Sequence, residues 1–235
     1  MFGIKRLSTY LKNFKLPYFI REILITACGI LLAFLLNNWN ETRKENNKED
    51  LFLKEYSEVL QFDSTDLQGN IDAAEYWSDQ MSYLVKYLNR ESGSRDSLDF
   101  AAAGFQYIFF IPVSLAKYEE LKQENFQLIK DDSLRSLIIN YYEEKLYVLR
   151  INETQFNAIR EDLRRYYTDH FTSWNSESTQ PIDPDFVFND QKYRNLVDQK
   201  WSSLRYVARL SKNTIEKISE IRSRIEAYRY GKLKD

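Results

Sequence analysis

The stretch Leu16–Glu41, LPYFIREILITACGILLAFLLNNWNE, decides how the rest of the chain is read. From Ile23 to Leu36 it carries no charge. That core alone falls short of the about 20 helical residues that cross a hydrocarbon layer of roughly 30 Å. Extending it back to Leu16 reaches spanning length and puts Arg21 and Glu22 near one boundary, where Arg21 can snorkel to the headgroups and Glu22 can pair with a base. Tyr18 and Trp39 fall at the two ends, the depth at which interfacial aromatics anchor a helix. The expectation is one transmembrane helix over residues 16–39, a basic cytoplasmic segment over 1–15 and an extracytoplasmic domain over 40–235.

Two processing signals compete for the same residues. A cleavable signal peptide needs small residues after its apolar core, and Asn37, Asn38 and Trp39 do not supply them. Ile25-Thr26-Ala27-Cys28 resembles a lipoprotein processing site, but an apolar run continues beyond Cys28, and Arg21 and Glu22 interrupt the stretch before it. The side of the membrane follows from the basic residues. Lys5, Arg6, Lys12, Lys15 and Arg21 precede Glu22 with no acid among them, so with a net charge of −2 the remainder carries −7. Positive residues stay inside, which puts the N-terminus in the cytoplasm and, in a bacterium, the main domain in the periplasm beside the inner membrane.

Ile4, Leu7, Leu11 and Phe14 recur at helical spacing among the lysines, as in an amphipathic helix lying on the inner leaflet with a break at Pro17. A disordered basic tail accounts for the same residues. Within the span, Gly29 and Ala33 form a small-xxx-small pair, the spacing that lets two membrane helices approach closely. The single cysteine, Cys28, lies in the span and reads as an apolar filler, so the outer domain folds without disulfides.

Beyond the span, proline is confined to Pro112, Pro181 and Pro184, and the whole chain has six glycines. Such a sequence suits long helices, and the expected fold is all-α: one transmembrane helix continuing into a long helix of an antiparallel bundle. Apolar residues at three-and-four spacing from Leu53 through Tyr56, Leu60, Leu67, Ile71, Ala74, Trp77, Met81, Leu84 and Leu88 carry that helix to about Asn89, with a bend expected at Gly69. After a polar turn at 91–97, Leu98–Phe110 reads as an apolar helix whose tail, Tyr107 to Ile111, is buried. Ser114–Gln127 reads as another short helix. Asp132 is placed as the cap of a helix reaching His170. Thr172–Asp185 reads as a loop, and a last helix runs from about Asp190 to Tyr230. Ile218, Ile221, Ile225 and Tyr228 permit a coiled-coil seam, within the bundle or between copies.

Glu22-Ile23, Gly29-Ile30-Leu31-Leu32-Ala33 and Asn37-Asn38-Trp39-Asn40-Glu41, followed by Tyr118-Glu119-Glu120-Leu121-Lys122, Leu128-Ile129, Leu134-Arg135 and Tyr141-Tyr142, resemble a bacterial membrane-protein family, domain of unknown function 6090, found mainly in Bacteroidota. Where family members carry a Ser-Ser-Gly-like turn, this chain has Gln123-Glu124-Asn125. The resemblance implies a single-pass inner-membrane protein and supplies no activity.

The search for chemistry finds little. His170 is the only histidine, so a hydrolase triad or a zinc site lacks its ligands and bases. There is no Glu-x-x-His pair for a di-iron bundle and no glycine cluster for a phosphate loop. No cofactor or metal is expected. Asp63, Asp66, Glu119, Glu120, Asp131, Asp132, Glu143 and Glu144 read as a solvated charged face, and the aromatics, with 17 Tyr, 15 Phe and 4 Trp, as core. Lys and Arg, 33 in number, nearly match the 35 acids, so nothing recommends nucleic acid as a partner. The expected role is a non-enzymatic, membrane-anchored interaction or sensing module that touches lipid and either a protein partner or a second copy. An oligomeric membrane-active effector or channel component is the alternative, built through Gly29 and Ala33 around Glu22.

Overall fold

The computed structural model describes residues 16–110, 113–124, 126–174, 179–183 and 185–232. The amphipathic segment expected over 1–15 lies outside them. The chain forms two compact units, Met1–Leu51 and Phe52–Asp235. Helix α1, Leu16–Leu88, contributes to both. It is α-helical through Gly69, where the sequence suggests a bend, and a side chain at Gly69 would meet nothing within 4 Å.

In the first unit, every side chain described from Ile20 to Trp39 is exposed. Among the described residues, one helix is long and apolar enough to cross a membrane, and its apolar window is 0% buried by the rest of the chain.

The second unit is a helical bundle. Its elements after α1 are α2 (Asp96–Phe105), α3 (Ala116–Gln123), α4 (Asp132–Asn140), a π-helical turn (Tyr141–Leu146), α5 (Tyr147–His170), strands β1 (Phe171–Trp174) and β2 (Thr179–Pro181), α6 (Phe186–Asn189) and α7 (Gln191–Lys232). The α1 stripe buries Leu53, Tyr56, Leu60, Leu67, Ile71, Ala74, Met81, Leu84 and Leu88. α7 buries Tyr193, Val197, Leu204, Val207, Ile218, Ile221 and Ile225. The two run antiparallel, since Arg194 donates to the Leu88 carbonyl while Lys212 pairs with Glu75 and Arg222 donates to Gln61. The Ile218–Ile225 seam therefore packs inside the bundle.

Four local expectations are corrected. α2 ends at Phe105, so Tyr107–Phe110 is irregular rather than helical; Phe109 is fully buried whereas Ile108 and Phe110 are 51% and 64% exposed. α3 is shorter than Ser114–Gln127: its C-cap is Glu124, and Phe126 beyond it takes a positive φ of 59° that a helix cannot contain. The cap of α4 is Asp131, whose carboxylate accepts the Leu134 N–H at 2.7 Å, not Asp132, which is the first helical residue. The expected loop after α5 contains an antiparallel hairpin pairing Phe171 with Pro181, Ser173 with Gln180 and Trp174 with Thr179. Its aromatic and β-branched residues suit a strand, and Pro181 is tolerated because neither strand has a further neighbour in the two-stranded sheet.

Candidate functional site

The anchor residues singled out in the sequence all lie on α1. Arg21, Glu22, Gly29, Ala33 and Trp39 are exposed, and a Cβ built on Gly29 would meet nothing within 4 Å. No contact inside the described chain therefore uses the Gly29 face. Thr26 donates to the Glu22 carbonyl at 2.9 Å, a local bond that satisfies its hydroxyl in an apolar stretch. The Arg43 guanidinium lies 5.7 Å from the Trp39 ring centroid, within cation–π range at the polar end of the apolar run.

The bundle holds polar groups that the sequence reading missed. Asp63 falls at the three-and-four spacing between Leu60 and Leu67 and is only 3% exposed, so the solvated-face reading fails for it. One carboxylate oxygen accepts the Ser114 N–H at 3.2 Å, while Oδ2 and the hydroxyls of Tyr56 and Tyr141 are buried with no hydrogen-bond partner. Burial raises the Asp63 carboxyl to about 6 against the opposing Ser114 bond, with the Asp66 carboxylate adding to the rise. Burial also pushes the hydroxyls of Tyr56, Tyr141 and Tyr142 up, so they stay neutral donors. Tyr141 and Tyr142 sit on the π-helical turn, whose wider coil buries both neighbours. Tyr142 stacks on Tyr118 at 4.2 Å, and the Tyr118 hydroxyl donates to Glu143. Around Asp63 the bundle can hold or release a proton near pH 6.

Lys200 is the second such group, at a core position of α7 and 0% exposed. It donates to the Tyr107 carbonyl at 3.1 Å. Burial, helped by the positive charge of Arg160, lowers its ammonium to about 7. Asn157 donates to the Phe109 carbonyl at 3.2 Å and Asn70 to the Phe110 carbonyl at 2.7 Å. Three polar side chains from three helices thus replace the helical bonds that Tyr107–Phe110 lacks. The sequence signal for Asp63 and Lys200 is a polar residue standing in register with an apolar stripe.

His170 stacks on Tyr166 at 4.3 Å, in an aromatic cluster with Phe186 and Tyr193. Tyr166 donates to Asp190 at 2.7 Å, and the Asp190 carboxylate accepts the Tyr193 N–H at 3.0 Å, capping α7. Burial opposes the charge of Asp190, but these bonds, the Lys192 N–H and the nearby His170 together hold its carboxyl below the ordinary value. Among the described residues no group of three His, Cys, Asp or Glu side chains could hold a metal.

These features define a helical bundle joined to one long apolar helix. Compared with family models, curated proteins and solved structures, the chain finds no match.

Proposed function

We propose that this chain is a single-pass membrane protein whose helical bundle acts by contact with a protein partner, as an interaction or sensing module without enzymatic chemistry. The observation that carries this reading is the unburied apolar run of α1: Ile23, Ile25, Leu31, Phe34 and Leu36 are each more than half exposed. Contiguous apolar surface of that extent is costly in water and favourable in lipid. The basic residues before Glu22 support a cytoplasmic N-terminus, a periplasmic bundle and a bacterial inner membrane. Membership of the family that the anchor resembles belongs to the same proposal. The open face at Gly29 supports a second reading, an oligomeric effector packed through Gly29 and Ala33.

Fractionation of cells expressing the full chain tests the anchor: it is expected to stay in the pellet through alkaline carbonate and to need detergent for release. Recovery in the supernatant overturns the proposal. Crosslinking in native membranes then separates the two readings. Capture of a second protein supports the interaction module, and capture of copies of this chain alone supports the effector.

A further inference from the structure

A separate cavity of about 310 Å³ lies between the end of α2, one face of α5 and strand β1, at the small end of the range for ligand sites. Arg160 and Arg164 stand one helical turn apart on its α5 wall, and Phe105, Tyr167 and Trp174 supply aromatic walls. The rings are mutually inclined: Phe105 and Tyr167 are 5.2 Å apart at 56°, and Tyr167 and Trp174 5.7 Å apart at 49°. The Tyr167 hydroxyl is engaged 2.8 Å from that of Tyr193, so the tyrosine offers the cavity its ring rather than a hydroxyl.

The charge here is unbalanced. Among the described residues Arg160 has one acidic partner, its neighbour Glu161 at 2.5 Å, and its Nε is buried with no acceptor. Among the described residues no acid pairs with Arg164. Like charges at i,i+4 repel, and Arg160 also repels the buried Lys200. A carboxylate is the group that both guanidiniums recognise by parallel N–H donation, and it would supply the missing acceptor and offset the repulsion.

We propose that this cavity binds a small aromatic carboxylic acid, its carboxylate on Arg160 and Arg164 and its ring among Phe105, Tyr167 and Trp174. The site requires no bilayer, so its test and that of membrane anchoring succeed or fail independently.

The experiment is calorimetric titration of the full chain in a non-ionic detergent with benzoate, with benzyl alcohol as the neutral isostere and with inorganic phosphate. Benzoate is expected to bind one site saturably, about tenfold or more tighter than either of the others, as a charge-assisted pair and an aromatic wall acting together require. Arg164→Gln, at an exposed helical position, is expected to weaken benzoate about tenfold. Benzoate no tighter than benzyl alcohol overturns the role of the arginines, and phosphate as tight as benzoate overturns that of the rings. Benzoate affinity unchanged in Arg164→Gln overturns the proposed placement.

Discussion

The ammonium of Lys200 lies 3.7 Å from the centroid of the Phe156 ring, a cation held against an aromatic face in the core of the bundle. It has a ring and the Tyr107 carbonyl for company but, among the described residues, no carboxylate, and Arg160 repels it. A buried charge compensated only in this way is costly. Lys200→Met keeps the volume, removes the charge and leaves the Tyr107 carbonyl without its donor. At pH 6, where the lysine is charged, the variant is expected to be more stable than the parent by about 1–2 kcal/mol. At pH 10 the neutral amine still donates, and the variant is expected to be equal or less stable. Chemical denaturation of the full chain in non-ionic detergent at the two pH values reads the reversal; one sign at both excludes it.

Asp63 and Lys200 give the bundle two opposed pH dependences. The Asp63 carboxyl rises from 3.8 to about 6 on folding, so its favourable contribution is complete below 3.8 and lost as pH climbs through 6. The Lys200 ammonium falls from 10.5 to about 7, so its contribution is complete above 10.5 and lost as pH falls through 7. Between them the two groups create a trough of stability near pH 6–7. Asp63→Asn, which can still accept the Ser114 N–H, is expected to flatten the acid limb and add about 1–2 kcal/mol at pH 7. A denaturation midpoint that varies with pH alike in parent and variant would rule out Asp63 as the source of that limb.

The long helices were legible because burial follows the three-and-four spacing of their apolar residues. From Leu53 to Leu88 the apolar positions are buried where the pattern puts them, with Trp77 half-buried against the core. Periodicity failed where side chains replace backbone partners. Tyr107–Phe110 is apolar enough for a core helix, yet its carbonyls are taken by Lys200, Asn157 and Asn70, partners 40 to 93 residues away that no local window contains. The hairpin after α5 depends likewise on a distant residue, since the Thr179 N–H is accepted by Asp99 of α2. Asp63 and Lys200 were hidden by their residue type: a charged residue within an apolar stripe is passed over when apolar positions alone are counted.

Asn157 and Asn70 should show what the irregular segment Tyr107–Phe110 is worth. Removing either amide leaves a carbonyl of Phe109 or Phe110 without its donor. The Phe109 carbonyl belongs to a fully buried residue, whereas Phe110 is largely exposed and water can take over there. Asn157→Ala is therefore expected to cost about 1–3 kcal/mol and Asn70→Ala about 1 kcal/mol or less, read from denaturation midpoints. The reverse order would mean that the Asn157 bond is not what fixes the segment.

Gly104 tests the packing of α2 on α1. A Cβ at this position would stand 3.0 Å from Cε3 of Trp77, and Trp77 packs against the core. Replacing glycine in a helix ordinarily gains stability, about 1 kcal/mol for alanine, because the unfolded chain loses freedom. Gly104→Val sets two further methyl groups against the indole, so overpacking of about 1–3 kcal/mol opposes a smaller propensity gain, since valine is β-branched. The expected result is a net loss of stability together with a changed Trp77 environment in near-ultraviolet circular dichroism. Gly69→Val, on a helical position with open space around it, carries the propensity gain without the clash and is expected to leave stability unchanged or raised. If both substitutions moved the midpoint by the same amount, backbone propensity alone would explain them and the contact between Gly104 and Trp77 would carry no energetic weight.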